Sequence, residues 1–90
     1  MTEDGNLLMT LATVRAKRLA GKMAEARAIF DRLTVDDFPA SFDAHNTIGI
    51  AMDPRAFLFY ANLDWTDRHY GDEFIDGALL WLWNNDEAAA

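Results

Sequence analysis

Residues 22–33, KMAEARAIFDRL, decide the fold class of this chain. Their apolar side chains recur at the spacing of one α-helical face, and these are Met23, Ala26, Ile29, Phe30 and Leu33. Charged residues occupy the remaining positions, which is typical of a helix that packs one stripe against a core. The stretch therefore predicts an amphipathic helix.

A second helix is predicted directly upstream, over residues 7–20. Four residues share one face of it: Leu8, Ala12, Ala16 and Leu19. Asp4 or Asn6 can cap its start, and Gly21 supplies the left-handed residue that ends many helices. Because only Gly21 and its neighbours separate the two helices, we expect an antiparallel helical hairpin.

One short segment of this hairpin resembles a known repeat. Residues 21–26, GKMAEA, with Phe30 four positions further on, are similar to the second helix of a tetratricopeptide repeat. The chain holds a single copy, whereas such arrays need at least about three stacked units. The resemblance therefore implies a helical hairpin and carries no function.

The middle of the chain is compatible with two structures. Asp53 followed by Pro54 favours a helix start, because aspartate caps helices and proline is tolerated at the first helical position. The same pair also begins type I turns. Residues 47–63 therefore predict either a β-hairpin or, as we favour, a helix over residues 54–63.

The last predicted helix covers residues 72–85, after a polar, turn-like segment over residues 64–71. One broad face should belong to the core, and it holds Phe74, Ile75, Ala78, Leu79, Trp81 and Leu82. Two large apolar residues lie outside that face, on a side rich in acids. An aromatic anchor with a charged rim is typical of protein interfaces. We therefore predict a partner-binding site made of Asp72, Glu73, Asp76, Leu80 and Trp83.

These elements predict one domain over residues 1–90. We expect an all-α compact bundle of four or five short helices that starts with the helical hairpin. The alternative is an α+β fold in which residues 47–63 form a β-hairpin. A chain of this length buries about two-thirds of its unfolded surface, so it can fold without disulfides, and it has no cysteine.

Charge is distributed unevenly along the chain. Residues 1–33 carry six basic and four acidic residues, a net of +2, whereas residues 34–90 carry two basic and 11 acidic residues, a net of −9. The acidic part also holds ten of the 11 aromatic residues. We therefore expect a non-catalytic protein-binding module whose acidic, aromatic C-terminal half docks on a basic surface of a protein partner.

The kind of partner can be specified in two ways, as a nucleic-acid-binding protein or as a second copy of this chain. Proteins with basic surfaces often bind nucleic acid, so an inhibitor that occupies a nucleic-acid site is expected, similar in size and charge to phage anti-restriction and anti-CRISPR proteins. Self-association as a homodimer, through Leu80 and Trp83, is the rival within the same class.

Other functional classes have weaker support. A small metal-dependent enzyme is one alternative, because His69 with Asp72, Glu73 and Asp76 offers metal-ligand or acid–base chemistry, and Asp64 and Asp67 are near in the chain. The spacing matches no metal or catalytic motif. The single serine, Ser41, lies outside any nucleophile motif, and we expect no enzyme and no cofactor.

A basic stripe is the basis of another alternative, a small nucleic-acid-binding regulator. Arg15, Arg18 and Lys22 fall on one side of the first helix. The stripe holds few charges and no interleaved aromatics, while the rest of the chain repels phosphate. We expect these cations to pair with the acidic half, and no direct nucleic-acid binding.

The N-terminal stretch predicts no export. It opens with acidic residues and has only a broken apolar run before Arg15, whereas a signal peptide needs a basic start and a longer apolar run. The longest apolar run, residues 78–83, is too short to cross a bilayer. We expect a cytoplasmic protein with no membrane association.

Overall fold

The computed structural model describes residues 3–46, 49–63, 65 and 68–85, with the backbone alone described for residues 3–6 and 68–70. Within these residues the fold is mostly helical, with a small antiparallel sheet. Its helices are α1 (Glu3–Leu19), α2 (Met23–Phe30), α3 (Pro54–Ala61) and α4 (Arg68–Asn85), and its strands are β1 (Ala44–His45) and β2 (Ala51–Met52). A 3-10 turn, Val35–Asp37, follows α2.

The predicted helical hairpin of α1 and α2 is present. Gly21 joins the two helices in the left-handed conformation, with φ +78°, and its backbone N–H donates to the Arg18 carbonyl at 3.0 Å. Across the turn, Lys17 Nζ lies 3.0 Å from Glu25 Oε1. The predicted stripe of α2 faces the core. Ala26 and Phe30 are buried, and Met23 and Ile29 pack partly buried against the core. Helix α2 ends at Phe30, three residues earlier than predicted.

The helix that we favour in the middle of the chain is α3. Asp53 Oδ1 accepts a hydrogen bond from the Ala56 backbone N–H at 2.7 Å, and Pro54 occupies the first helical turn. The alternative of a β-hairpin over residues 47–63 is therefore wrong in position, because residues 54–61 are helical. A two-stranded antiparallel sheet lies upstream of α3 instead, with Ala44 opposite Met52. The α+β alternative thus fits in this small form.

Helix α4 crosses the sheet at a glycine. A Cβ atom at Gly77 would overlap the carbonyl oxygen of His45, so only glycine lets the helix lie this close to β1. The helix begins at Arg68, whereas residues 68–71 were predicted as a turn. Residues 64, 66 and 67 of that predicted turn lie outside the described part of the chain.

The core lies between the helices and the sheet and is rich in aromatic rings. Neighbouring rings meet edge-on or tilted, at centroid separations from 5.0 to 6.0 Å, and these rings belong to Phe30, Phe38, Phe42, Phe57, Trp65 and Trp81. Such pairs add to the free energy gained by burial alone. Among the described residues, no helix combines the length and the apolar character that crossing a bilayer requires.

Candidate protein interface

Helix α4 has the two faces that its sequence predicts. Its inner face packs into the core through Phe74, Ile75, Ala78 and Leu82, which are buried, with Leu79 and Trp81 partly buried beside them. Leu80 is 62% exposed and Trp83 is 74% exposed. The predicted exposure of these two side chains is confirmed.

Leu80 and Trp83 form one wall of an open groove between α1 and α4. We call this groove the α1–α4 trough. It has a volume of about 650 Å³ and is lined by Leu8, Met9, Ala12, Asp76, Leu79, Leu80 and Trp83. Met9 is itself 65% exposed, so the trough presents three large apolar side chains to solvent. Among the described residues, Asp76 is the one charged residue in its lining.

A second, smaller depression of about 390 Å³ continues the trough along α1. The two share Met9 and Ala12. The depression is lined by Met9, Ala12, Thr13, Ala16, Lys17, Ala20 and Lys22. Its apolar part consists mostly of alanine methyl groups. Of its two lysines, Lys17 pairs with Glu25 and Lys22 is exposed. Together the trough and the depression form one continuous surface along α1.

Helix α1 carries two apolar stripes. The stripe predicted from the sequence as its apolar face does not pack into the core. Leu7, Leu11 and Val14 are buried instead. On the predicted face, Ala12, Ala16 and Leu19 are exposed and Leu8 is half-buried. Burying a leucine or valine side chain gains about 1.5–3 kcal/mol, which favours the bulkier stripe over one that is partly alanine. Leu8 and Ala12 of the outward stripe line the trough, and Ala16 lines the adjoining depression.

Of the three acids predicted as a rim, Asp72, Glu73 and Asp76, the trough lining contains Asp76, and both aspartates bind arginines of α1. Arg15 Nε donates to Asp76 Oδ1 at 2.6 Å, and Arg15 Nη1 lies 3.4 Å from Asp72 Oδ2. The hydrogen bond to Asp76 raises the pKa of Arg15, because it outweighs the opposing effect of burial. Asp76 keeps 41% of its side chain exposed, and Glu73 is half-buried beside it.

Asp72 holds the second arginine, Arg18, inside the protein. Arg18 Nε donates to Asp72 Oδ1 at 2.5 Å, and the guanidinium carbon lies 4.7 Å from the centroid of the Trp65 ring. Gly71 makes the room, since a Cβ there would lie 2.6 Å from Arg18 Nη2. Asp72 is therefore a structural residue, and only Asp76 of the two aspartates borders the trough.

These ion pairs also divide the predicted basic stripe. Arg18 is fully buried and Arg15 is held against α4, while Lys22 is exposed at the end of the depression. A phosphate-binding stripe needs its cations on one accessible surface. The expected pairing of the basic stripe with the acidic half is present for Arg15 and Arg18.

The predicted metal alternative is only partly open to inspection. Within the described residues, no three histidine or acidic side chains come together in a way that holds a metal ion. Asp64, Asp67 and the side chain of His69 lie outside those residues.

The exposed residues of the α4 wall were predictable from the sequence, whereas the α1 wall was not predicted as part of the site. The sequence does contain a signal for the α1 wall, because Leu8 and Met9 lie outside the bulkier apolar stripe of α1. Chemically, the described lining of the trough offers apolar contact, the Asp76 carboxylate and the face of an indole ring. No protein-family model, curated protein or solved structure matches this chain.

Proposed function

We propose that this chain is a non-catalytic protein-binding module whose contact surface is the α1–α4 trough. The observation that carries the proposal is the clustering of exposed Met9, Leu80 and Trp83 around one groove. Single exposed apolar residues are common on proteins, whereas contiguous apolar patches mark interaction sites. A central tryptophan is also the residue type most enriched among binding hot spots.

The partner surface that fits this module is basic. Each ion pair between α1 and α4 removes one positive and one negative charge, so the net charge of −7 remains after the pairs form. A net charge of this size attracts cationic partners and speeds their encounter. Asp76, in the lining of the trough, is itself paired with Arg15, so the attraction comes from acids outside the α1–α4 ion pairs.

Proteins with basic surfaces often bind nucleic acid through them. On the proposed function, the module occupies such a surface and inhibits nucleic-acid binding by its partner. This extension depends on charge and size, and a competition assay tests it: added duplex or single-stranded nucleic acid should displace the module from the captured protein.

The proposal is tested by affinity capture from a lysate of the producing cells, at low and high salt. Tagged wild-type protein should retain a partner that Trp83→Ala and Leu80→Ala both release. Loss of an aromatic hot spot costs about 2 kcal/mol or more of binding free energy.

Phe59→Ala is the matched control, because Phe59 is 60% exposed and lines no part of the trough. It should retain the partner. Trp83→Ala should also keep its urea midpoint, since exposed side chains leave no cavity and usually change stability by less than about 0.5 kcal/mol. Equal capture by Trp83→Ala and wild type would remove the basis of the proposal.

A further inference from the structure

We propose that Met9 is a site of reversible oxidation, and that its conversion to the sulfoxide weakens partner binding at the α1–α4 trough. This inference rests on the proposed function and adds a means of regulating the same site. It follows from the exposure of Met9, from the burial of other methionines and from the apolar surface to which Met9 belongs.

Exposure distinguishes Met9 from the other methionines that the structure describes. Met9 is 65% exposed, whereas Met23 is half-buried against the core and Met52 is fully buried. The fourth methionine, Met1, lies outside the described residues. An oxidant must reach the sulfur atom, and a packed core leaves no room for it. We therefore expect Met9 to react well before Met52.

The chemical step is the transfer of one oxygen atom from a hydroperoxide to the Met9 sulfur. With hydrogen peroxide, a sulfur lone pair attacks one oxygen, an S–O bond forms and the O–O bond breaks. The proton on the transferred oxygen moves to the leaving hydroxide, which departs as water. The thioether is thus oxidised to the sulfoxide while the peroxide is reduced. Methionine sulfoxide reductases reverse the step, with thiols as the reductant and water as the second product.

The sulfoxide places a polar group on the apolar binding surface. Met9 lines both the trough and the depression, and it shares the trough with exposed Leu80 and Trp83. Thr13, one turn further along α1, already donates its hydroxyl to the Met9 carbonyl at 2.9 Å. A partner that covers the sulfoxide must remove its bound water, which is costly unless a new hydrogen bond replaces it. Oxidation should therefore weaken partner binding.

The fold should tolerate this change. Leu7 and Leu11, two residues to either side of Met9, are both buried. Two residues along a helix correspond to a rotation of about 200°, so Met9 lies on the opposite side of α1 from the core. Oxidation at Met9 therefore alters the binding surface and leaves the core packing in place.

Peroxide treatment followed by peptide mass spectrometry tests the selectivity of the reaction. Met9 should be oxidised at least about tenfold faster than Met52, because a buried sulfur reacts only when the core opens. Circular dichroism should show that the singly oxidised protein remains folded. Equal oxidation rates of Met9 and Met52 in the folded protein would overturn the proposed site.

Binding is then measured with each protein compared with itself before and after peroxide. The probe is Nile red, a neutral apolar dye, whose fluorescence reports apolar surface. Wild-type protein should lose dye affinity at least about tenfold on oxidation, a change equivalent to about 1.4 kcal/mol. Methionine sulfoxide reductases should restore it. Met9→Leu cannot be oxidised at this position, so its dye affinity should be the same before and after treatment.

Met23→Leu is the matched control, because Met23 lies outside the trough and the variant retains Met9. It should respond to peroxide as wild type does. An equal response of Met9→Leu and wild type would overturn the inference, since the oxidised group would then lie elsewhere.

Partner capture separates this inference from the proposed function. Immobilised wild-type protein is oxidised, freed of peroxide and exposed to the lysate, and it should retain less partner than untreated protein. Full capture after complete oxidation of Met9 would overturn the inference, and release by Trp83→Ala would then leave the proposed function in place. Equal capture by Trp83→Ala and untreated wild type would remove the proposed function instead.

Discussion

Arg18 lies in the interior of the protein, although arginine is one of the residue types least often buried. Its position depends on three neighbours. Asp72 supplies the opposite charge, the Trp65 ring covers the guanidinium, and Gly71 leaves the space that the group occupies. A buried charge is costly unless such partners are present. The pair therefore fixes one relative placement of α1 and α4, and with it the two walls of the trough.

The first prediction concerns this pair. Asp72→Asn keeps the side-chain shape but removes the charge opposite Arg18, and we expect unfolding free energy to fall by about 3–5 kcal/mol. Asp76→Asn is the control. Its partner Arg15 is partly exposed, so that variant should lose only about 0–1 kcal/mol. Urea denaturation measures both variants, and similar losses would contradict a structural role specific to Asp72.

At the residue scale, the sequence predicts which side chains of a helix are exposed better than it predicts which residues form ion pairs. The positions of Leu80 and Trp83 follow from the 3.6-residue period of one helix, which is local information. The partner of Asp72 is Arg18, 54 residues away in the chain. No spacing rule within α4 identifies that pairing. The acidic rim predicted around Leu80 and Trp83 thus included a residue that the fold uses for its own assembly.

At the scale of whole elements, α1 shows why its face was difficult to predict. Both of its stripes have helical spacing, so periodicity identifies the helix without choosing the buried side. That choice depends on side-chain volume and on the distant aspartates of α4. The strands pose a different difficulty, since two residues each are too few to show an alternating pattern. Helix α3 was predictable because Asp53 and Pro54 are local start signals.

The second prediction concerns how α4 meets β1. Gly77→Ala gains about 1 kcal/mol in helix propensity, yet its Cβ would overlap the His45 carbonyl oxygen. A backbone atom cannot move aside as a flexible side chain can, so we expect a net loss of stability. Overpacking in well-packed cores commonly costs about 1–3 kcal/mol.

Thermal denaturation followed by circular dichroism tests Gly77→Ala. Ala28→Gly provides the comparison, because it should show the propensity cost alone, about 1 kcal/mol, at an exposed helical site. A higher melting temperature for Gly77→Ala than for wild type would show that the helix does not lie this close to β1.

At the scale of the whole molecule, folding brings the two parts of unequal charge together. The basic α1 contacts the acidic α4 through Arg15 and Arg18. Among the described residues, Asp36, Asp37, Asp43 and Asp53 line no part of the trough. We therefore expect these four acids to attract a basic partner without contributing to apolar contact.

The last prediction tests that separation. Asp36 and Asp43 are exposed and line no part of the trough, so Asp36→Asn with Asp43→Asn changes the net charge from −7 to −5 without altering the binding surface. Charges outside the contact area steer encounter, whereas desolvated contacts set the dissociation rate. Stopped-flow mixing with the basic partner captured by the module should show slower association for the double variant at low salt and an unchanged dissociation rate. The difference should vanish in about 0.5 M salt, where the Debye length falls to a few ångströms. Trp83→Ala is the opposite control and should raise the dissociation rate at every salt concentration. A faster dissociation of the double variant would mean that Asp36 or Asp43 contacts the partner, and that the interface extends beyond the trough.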